Sequence, residues 1–127
     1  MRIFLTTCTA DKDPRPQPLR ADRRYRGARV VAARERATDM GVPLFFLSGV
    51  FGLVPAAGEL PWYDHALQPD EVDGLVGPLT AELLRLGVVE IVALMMVPSE
   101  PGWAPYHRLL ALGADAAGCR LSVHVWG

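Results

Sequence analysis

Four short apolar runs divide the chain, and two of the segments between them carry apolar residues at helical spacing. Arg2–Thr7 (RIFLTT), Pro43–Leu47 (PLFFL) and Val88–Met95 (VVEIVALM) lack strict alternation. That is the pattern of strands buried on both faces of a parallel sheet. Leu121–Trp126 (LSVHVW) alternates, which predicts an edge or half-exposed strand. Asp11–Pro18 (DKDPRPQP), with three prolines in eight residues, reads as loop. Asp22 is placed to cap a helix from about Arg23 to Met40, with Ala28, Val31, Ala32 and Ala37 among arginines and Gly41 as its stop. A long loop rich in glycine, proline and aromatics covers Ser48–Pro69. Asp70 then caps a helix to Leu86 with Val72, Leu75, Val76, Leu79, Leu83 and Leu86 on one face, a bend at Pro78 and a stop at Gly87. Pro98–Ala104 reads as loop, and Pro105–Leu112 as a short helix with proline in its first turn.

Strands that alternate with helices predict a single α/β domain over residues 1–127. The expected architecture is a three-layer Rossmann-like domain with a four-stranded, mostly parallel sheet in the order 2-1-3-4, given right-handed crossovers. The helix-to-strand links are terse: Gly41-Val42, Gly87 and Gly113–Gly118. The strand-to-helix links are long, and in a parallel sheet they gather at the carboxyl edge, where open α/β sheets bind ligands.

Composition narrows the picture. Thirteen basic residues against fourteen acidic ones leave a net charge of -1, which does not support a nucleic-acid coat. Two cysteines make no disulfide framework. No signal-peptide pattern occurs, and the longest apolar stretch, Val88–Val97, is half a membrane span and contains Glu90. The expectation is a cytoplasmic chain with reduced thiols and no membrane partner. Lysine occurs once, at Lys12, whereas every other cation is arginine, so Lys12 stands out as a point charge for phosphate or carboxylate. Its plain alternative is a solvated loop residue.

The remaining candidates sit on the same edge. Cys8, flanked by Thr7 and Thr9 just past the first strand, offers a thiol nucleophile, a ligand-lining group, or simple packing. Ser48-Gly49-Val50-Phe51-Gly52 lets the backbone approach a ligand, with Phe51 able to stack on a flat ring; the plain reading is a tight turn. In Trp62-Tyr63-Asp64-His65, Asp64 can grip a ribose, act as acid or base, or merely brace the loop. The histidines show no metal-ligand spacing, and no phosphate-loop, dinucleotide or nucleophile-elbow motif occurs. Neither metal nor cofactor is expected.

Cys8 followed by Lys12, Tyr25 before a helix, then LSGVFGLV and ELPWYD, together resemble a small prokaryotic and phage family of unknown function. Its marks are a strand-one cysteine with a following lysine, a segment like ILSAxYGL and a PYD element. The resemblance covers the first half of the chain, with Gly49 for the usual alanine, Phe51 for the usual tyrosine and Trp62 inserted before Tyr63. It implies a Rossmann-like fold of the kind used by nucleoside deoxyribosyltransferases and nucleobase glycosylases. The functional expectation is therefore a domain that binds a nucleotide, nucleoside or modified base. Thr7, Thr9, Lys12, Ser48, Gly49, Phe51, Gly52 and Tyr63 would line the site, and Asp64 and Cys8 would serve any glycosidic-bond cleavage or transfer. The alternative is a non-catalytic interaction module that uses the same aromatic loops, with Trp62, Trp103, Phe51 and Tyr106 as anchors. Self-association is left open by the sequence.

Overall fold

A computed structural model describes residues 1–127. In chain order its elements are β1 (Arg2–Thr7), β2 (Leu19–Arg20), α1 (Ala21–Arg24), α2 (Ala28–Met40), β3 (Leu44–Ser48), β4 (Gly52–Pro55) and β5 (Glu59–Leu60). A single 3-10 turn at Pro69–Glu71 leads into α3 (Val72–Leu86), followed by β6 (Glu90–Met95), α4 (Ala104–Ala117) and β7 (Arg120–Val125). The central sheet has the order β4-β3-β1-β6-β7. All its neighbours are parallel except β3 and β4.

The expected sheet of four strands is thus corrected to five. The four parallel strands stand as β3-β1-β6-β7, and the addition is β4, a return strand inside what the pattern gave as loop. Gly52, at φ 68°, turns the chain back, and Leu53 and Val54 then pair with Leu47 and Phe46 of β3. Four residues with a proline at the end carry too little periodicity to announce a strand; the neighbouring edge of β3 supplies the partner. β5 likewise forms by pairing with β2.

Burial follows the apolar pattern. Ile3, Phe4 and Leu5 of β1, Phe46 and Leu47 of β3, and Ile91, Ala93, Leu94 and Met95 of β6 are all buried. Each large side chain of this kind contributes about 1.5–3 kcal/mol on leaving water. Gly41, Gly87 and Gly118 close α2, α3 and α4 in the left-handed conformation, where a side chain would be strained. The third helix therefore runs through Gly113 to Ala117 and is longer than its proline-led first turns suggested. Asp70 does not cap the second long helix: it lies within the 3-10 turn that begins after Gln68, whose amide donates to the Glu71 carboxylate, and Glu71 is the residue that precedes α3.

The helix expected from Arg23 to Met40 is broken at Tyr25–Gly27, and Gly27 (φ 123°) resets the chain. The break comes from tertiary pairing. Asp13 donates its amide to Arg24, Arg26 donates to Asp11, and Lys12 bridges Tyr25, so the proline-rich loop lies along this segment as an irregular strand. Tyr25 then turns inward against Phe46, ring centroids 5.0 Å apart. Arg24, fully buried, fixes the same loop through its guanidinium, which donates to the carbonyls of Asp13, Arg15, Gln17 and Leu60. No helix is long and apolar enough to cross a membrane.

Candidate functional site

The carboxyl ends of β1 and β6 open onto a cavity of about 280 Å³. Thr7, Cys8, Thr9 and Lys12 reach it from β1 and the loop beyond, Asp64 and His65 from the loop after β5, Trp103 and Tyr106 from the start of α4, and Arg29 from α2. Five expected residues (Thr7, Cys8, Thr9, Lys12 and Asp64) thus share one cavity, as a parallel sheet's carboxyl edge should arrange them.

Arg29 is the residue that sequence reasoning missed. It is 9% exposed. Its guanidinium donates to the Thr6 hydroxyl, to the Thr7 carbonyl at 3.2 Å and to the Cys8 carbonyl at 3.4 Å. The guanidinium carbon also lies 4.8 Å from the centre of the Trp103 ring. None of the chain's ion pairs includes Arg29 or Lys12. Burial lowers the Arg29 pKa to about 10, so the group is still charged at neutral pH. A buried cation ordinarily demands a carboxylate; here carbonyl oxygens and an aromatic face stand in for one. A signal was present in the sequence, because Arg29 shares its helix face with the buried Ala33 and Ala37, four and eight positions on.

Lys12 is half-buried, with its ammonium 4.9 Å from the centre of the Tyr63 ring and 6.0 Å from that of Tyr25. Both positions are within cation–π range. Tyr63 stands behind the cavity. Its hydroxyl bonds Ser48 Oγ at 2.9 Å and the Tyr25 hydroxyl, and Ser48 Oγ accepts the amides of Val50 and Phe51, each at 3.1 Å. Ser48 and Tyr63 therefore hold the wall and Lys12 rather than line the cavity. Phe51 packs edge-on against Tyr63 at 5.2 Å and is otherwise exposed. Gly49 is pressed against Leu67, where an added Cβ would lie 2.8 Å from the Leu67 amide nitrogen. Gly52 makes the turn into β4. None of Gly49, Phe51 and Gly52 lines the cavity.

Cys8 is buried at the cavity wall, its Sγ 3.2 Å from the Tyr106 hydroxyl, which also accepts the Leu67 amide at 3.0 Å. Burial, together with the neighbouring thiol, raises the Tyr106 pKa, so its hydroxyl keeps its proton. Asp64 is exposed at the mouth, and His65 bonds the Glu71 carboxylate at 2.8 Å. Two cations, one deep and one half-buried, thus face one rim carboxylate. The site favours an anion or an electron-rich group. No three His, Cys, Asp or Glu side chains gather where a metal ion would sit. Comparison with family models, with curated proteins and with solved structures finds no match to this chain.

Proposed function

We propose that the chain binds a nucleotide, nucleoside or modified base in this cavity, and that the domain has a three-layer Rossmann-like fold. Arg29 carries the reading: a buried, charged guanidinium with no carboxylate partner faces a cavity at the carboxyl edge of the sheet. Arg29 and Lys12 would take a phosphate or the polar edge of a base, and Trp103 would supply the apolar face. The volume is near the lower end of the range of about 300–1,000 Å³ typical for small-molecule sites, which suits a mononucleotide or nucleoside rather than a dinucleotide. If the ligand is turned over, Asp64 at the mouth would act as acid or base and Cys8 as nucleophile toward a glycosidic carbon. The residues that carry the resemblance to a prokaryotic and phage family, Cys8, Lys12, Ser48 and Tyr63-Asp64, lie in or behind the cavity, in keeping with the same reading.

A non-catalytic interaction module has one observation in its favour. Val50 and Phe51 after β3 and Trp62 after β5 are 40%, 44% and 49% exposed, large apolar side chains of the kind that anchor partners. Calorimetric titration with phosphate, nucleosides and nucleoside monophosphates separates the two readings. Binding that falls at least tenfold in Arg29→Met, with the fold intact by circular dichroism, supports the ligand site. Absence of binding by every member of that series overturns it.

A further inference from the structure

β7 is the outer parallel strand of the central sheet, with its far edge free. Arg120 and Trp126 donate their amides inward to Val89 and Met95. Alternation along the strand then aims the amides and carbonyls of Leu121, Val123 and Val125 away from β6. Folded proteins guard such an edge with lysine, proline, a bulge or an inward charge. The opposite edge, β4, is four residues long and ends in Pro55. The run Leu121-Ser122-Val123-His124-Val125 has no guard, and Val123 and Val125 are 40% and 55% exposed.

We propose that the free edge of β7 pairs antiparallel with β7 of a second copy of this chain, about a two-fold axis through Val123. This register uses all three outward-facing residues. It sets Val123 opposite its own counterpart and Leu121 opposite the second copy's Val125, an apolar ladder on one face. On the other face Ser122 meets His124, and at the ends Arg120 meets Trp126, so no like charges oppose each other. A shift of the axis to Ser122 leaves Val125 facing Cys119; a shift to His124 sets two histidines against each other and leaves Leu121 opposite the terminal Gly127. The side-chain pattern therefore selects one register, as a two-fold isologous contact requires. A single strand pair buries less than the about 1,200–2,000 Å² of a standard interface, so the association is reversible and depends on concentration.

Sedimentation equilibrium of the full chain over about a hundredfold concentration range tests this. The expected mass rises from 13.8 kDa toward twice that value. Val123→Lys opposes two ammonium groups on the axis and should hold the chain monomeric with its circular dichroism unchanged. In a Cys119→Ser background, Val123→Cys should cross-link to itself on oxidation, since directly opposed Cα atoms lie about 5.5 Å apart, within disulfide reach. Leu121→Cys should not cross-link alone but should do so when mixed with Val125→Cys. A mass fixed at 13.8 kDa throughout, a dimer that survives Val123→Lys, or self-cross-linking only at position 121 overturns the proposal. None of these readings depends on ligand binding.

Discussion

Arg24 and Arg29 are both buried arginines without a carboxylate, and the groups around them assign different work. Arg24 donates to four carbonyls, those of Asp13, Arg15 and Gln17 in the proline-rich loop and that of Leu60. Arg24→Met leaves those acceptors unpaired in the interior, and a loss of about 3–5 kcal/mol in chemical denaturation is expected. Arg29→Met removes fewer and longer bonds to carbonyls, those of Thr7 at 3.2 Å and Cys8 at 3.4 Å, so a loss under about 2 kcal/mol is expected. Its main effect falls on ligand affinity. Equal destabilisation by the two substitutions would count against that division. The three tyrosines give a pH test. Burial raises Tyr25 to about 12 and also raises Tyr63 and Tyr106 above their ordinary 10.0. The folded state then holds protons that the unfolded state has released, so their contribution to stability is complete below pH 10 and is lost as pH climbs through the folded values. Arg29, lowered to about 10, acts in the opposite sense over the same alkaline window, but it is one group against three. Phenolate absorbance should therefore stay flat through pH 10 and rise in one cooperative step with unfolding. A gradual rise centred at 10 would show at least one free phenol.

At the scale of elements, the α3–α4 contact is the tightest place. A Cβ at Gly113 would sit 2.5 Å from Leu79 Cδ2, and Leu79 is itself buried. Alanine there gains about 1 kcal/mol of helix propensity and incurs about 1–3 kcal/mol of overpacking, so Gly113→Ala should lower the melting temperature. Pro78 gives the reverse case. It lies exposed inside α3 and deprives the helix of one amide. Pro78→Ala restores a donor to the Gly74 carbonyl and loses little buried contact. Stability should rise by about 1–2 kcal/mol, since the restored helix bond outweighs the extra freedom of the unfolded chain. A drop in denaturation midpoint for Pro78→Ala would mean that the proline itself is needed for packing.

At the scale of the molecule, the order of strands predicts an order of local stability. β1 lies between β3 and β6 and is buried along nearly its whole length, whereas β7 is exposed and β5 is a two-residue strand. Native-state hydrogen exchange should find the slowest amides in β1, β3 and β6, near the free energy of global unfolding, and faster opening in β4, β5 and β7. A ligand held by Arg29 and Lys12 should stabilise the fold by the mass-action amount, about 2.7 kcal/mol at a hundredfold excess over Kd, and so raise the melting temperature, and should add protection to Thr9 and the loop bearing Lys12. Protection confined to the Val50–Phe51 loop would point to the apolar surface instead.

The alternation of apolar strands with helices, the glycine stops at Gly41 and Gly87, and the gathering of Cys8, Lys12 and Asp64 at one edge are all legible in the sequence. They follow from period, capping chemistry and the handedness of crossovers, each of which acts over a few residues or by a fixed rule. Tertiary structure alone decided the rest. β4 and β5 exist because neighbouring backbone edges offer partners, not because Gly52–Pro55 or Glu59–Leu60 prefers extension. The helix breaks at Tyr25 because a distant proline-rich loop takes its hydrogen bonds and Phe46 takes its ring. Arg29 reads in isolation as one more solvated arginine on a helix. Its position against the carbonyls that end β1, and under Trp103 from 74 residues further on, makes it the buried cation of the cavity. A side chain's charge is written locally, but its desolvation depends on what the rest of the chain places around it.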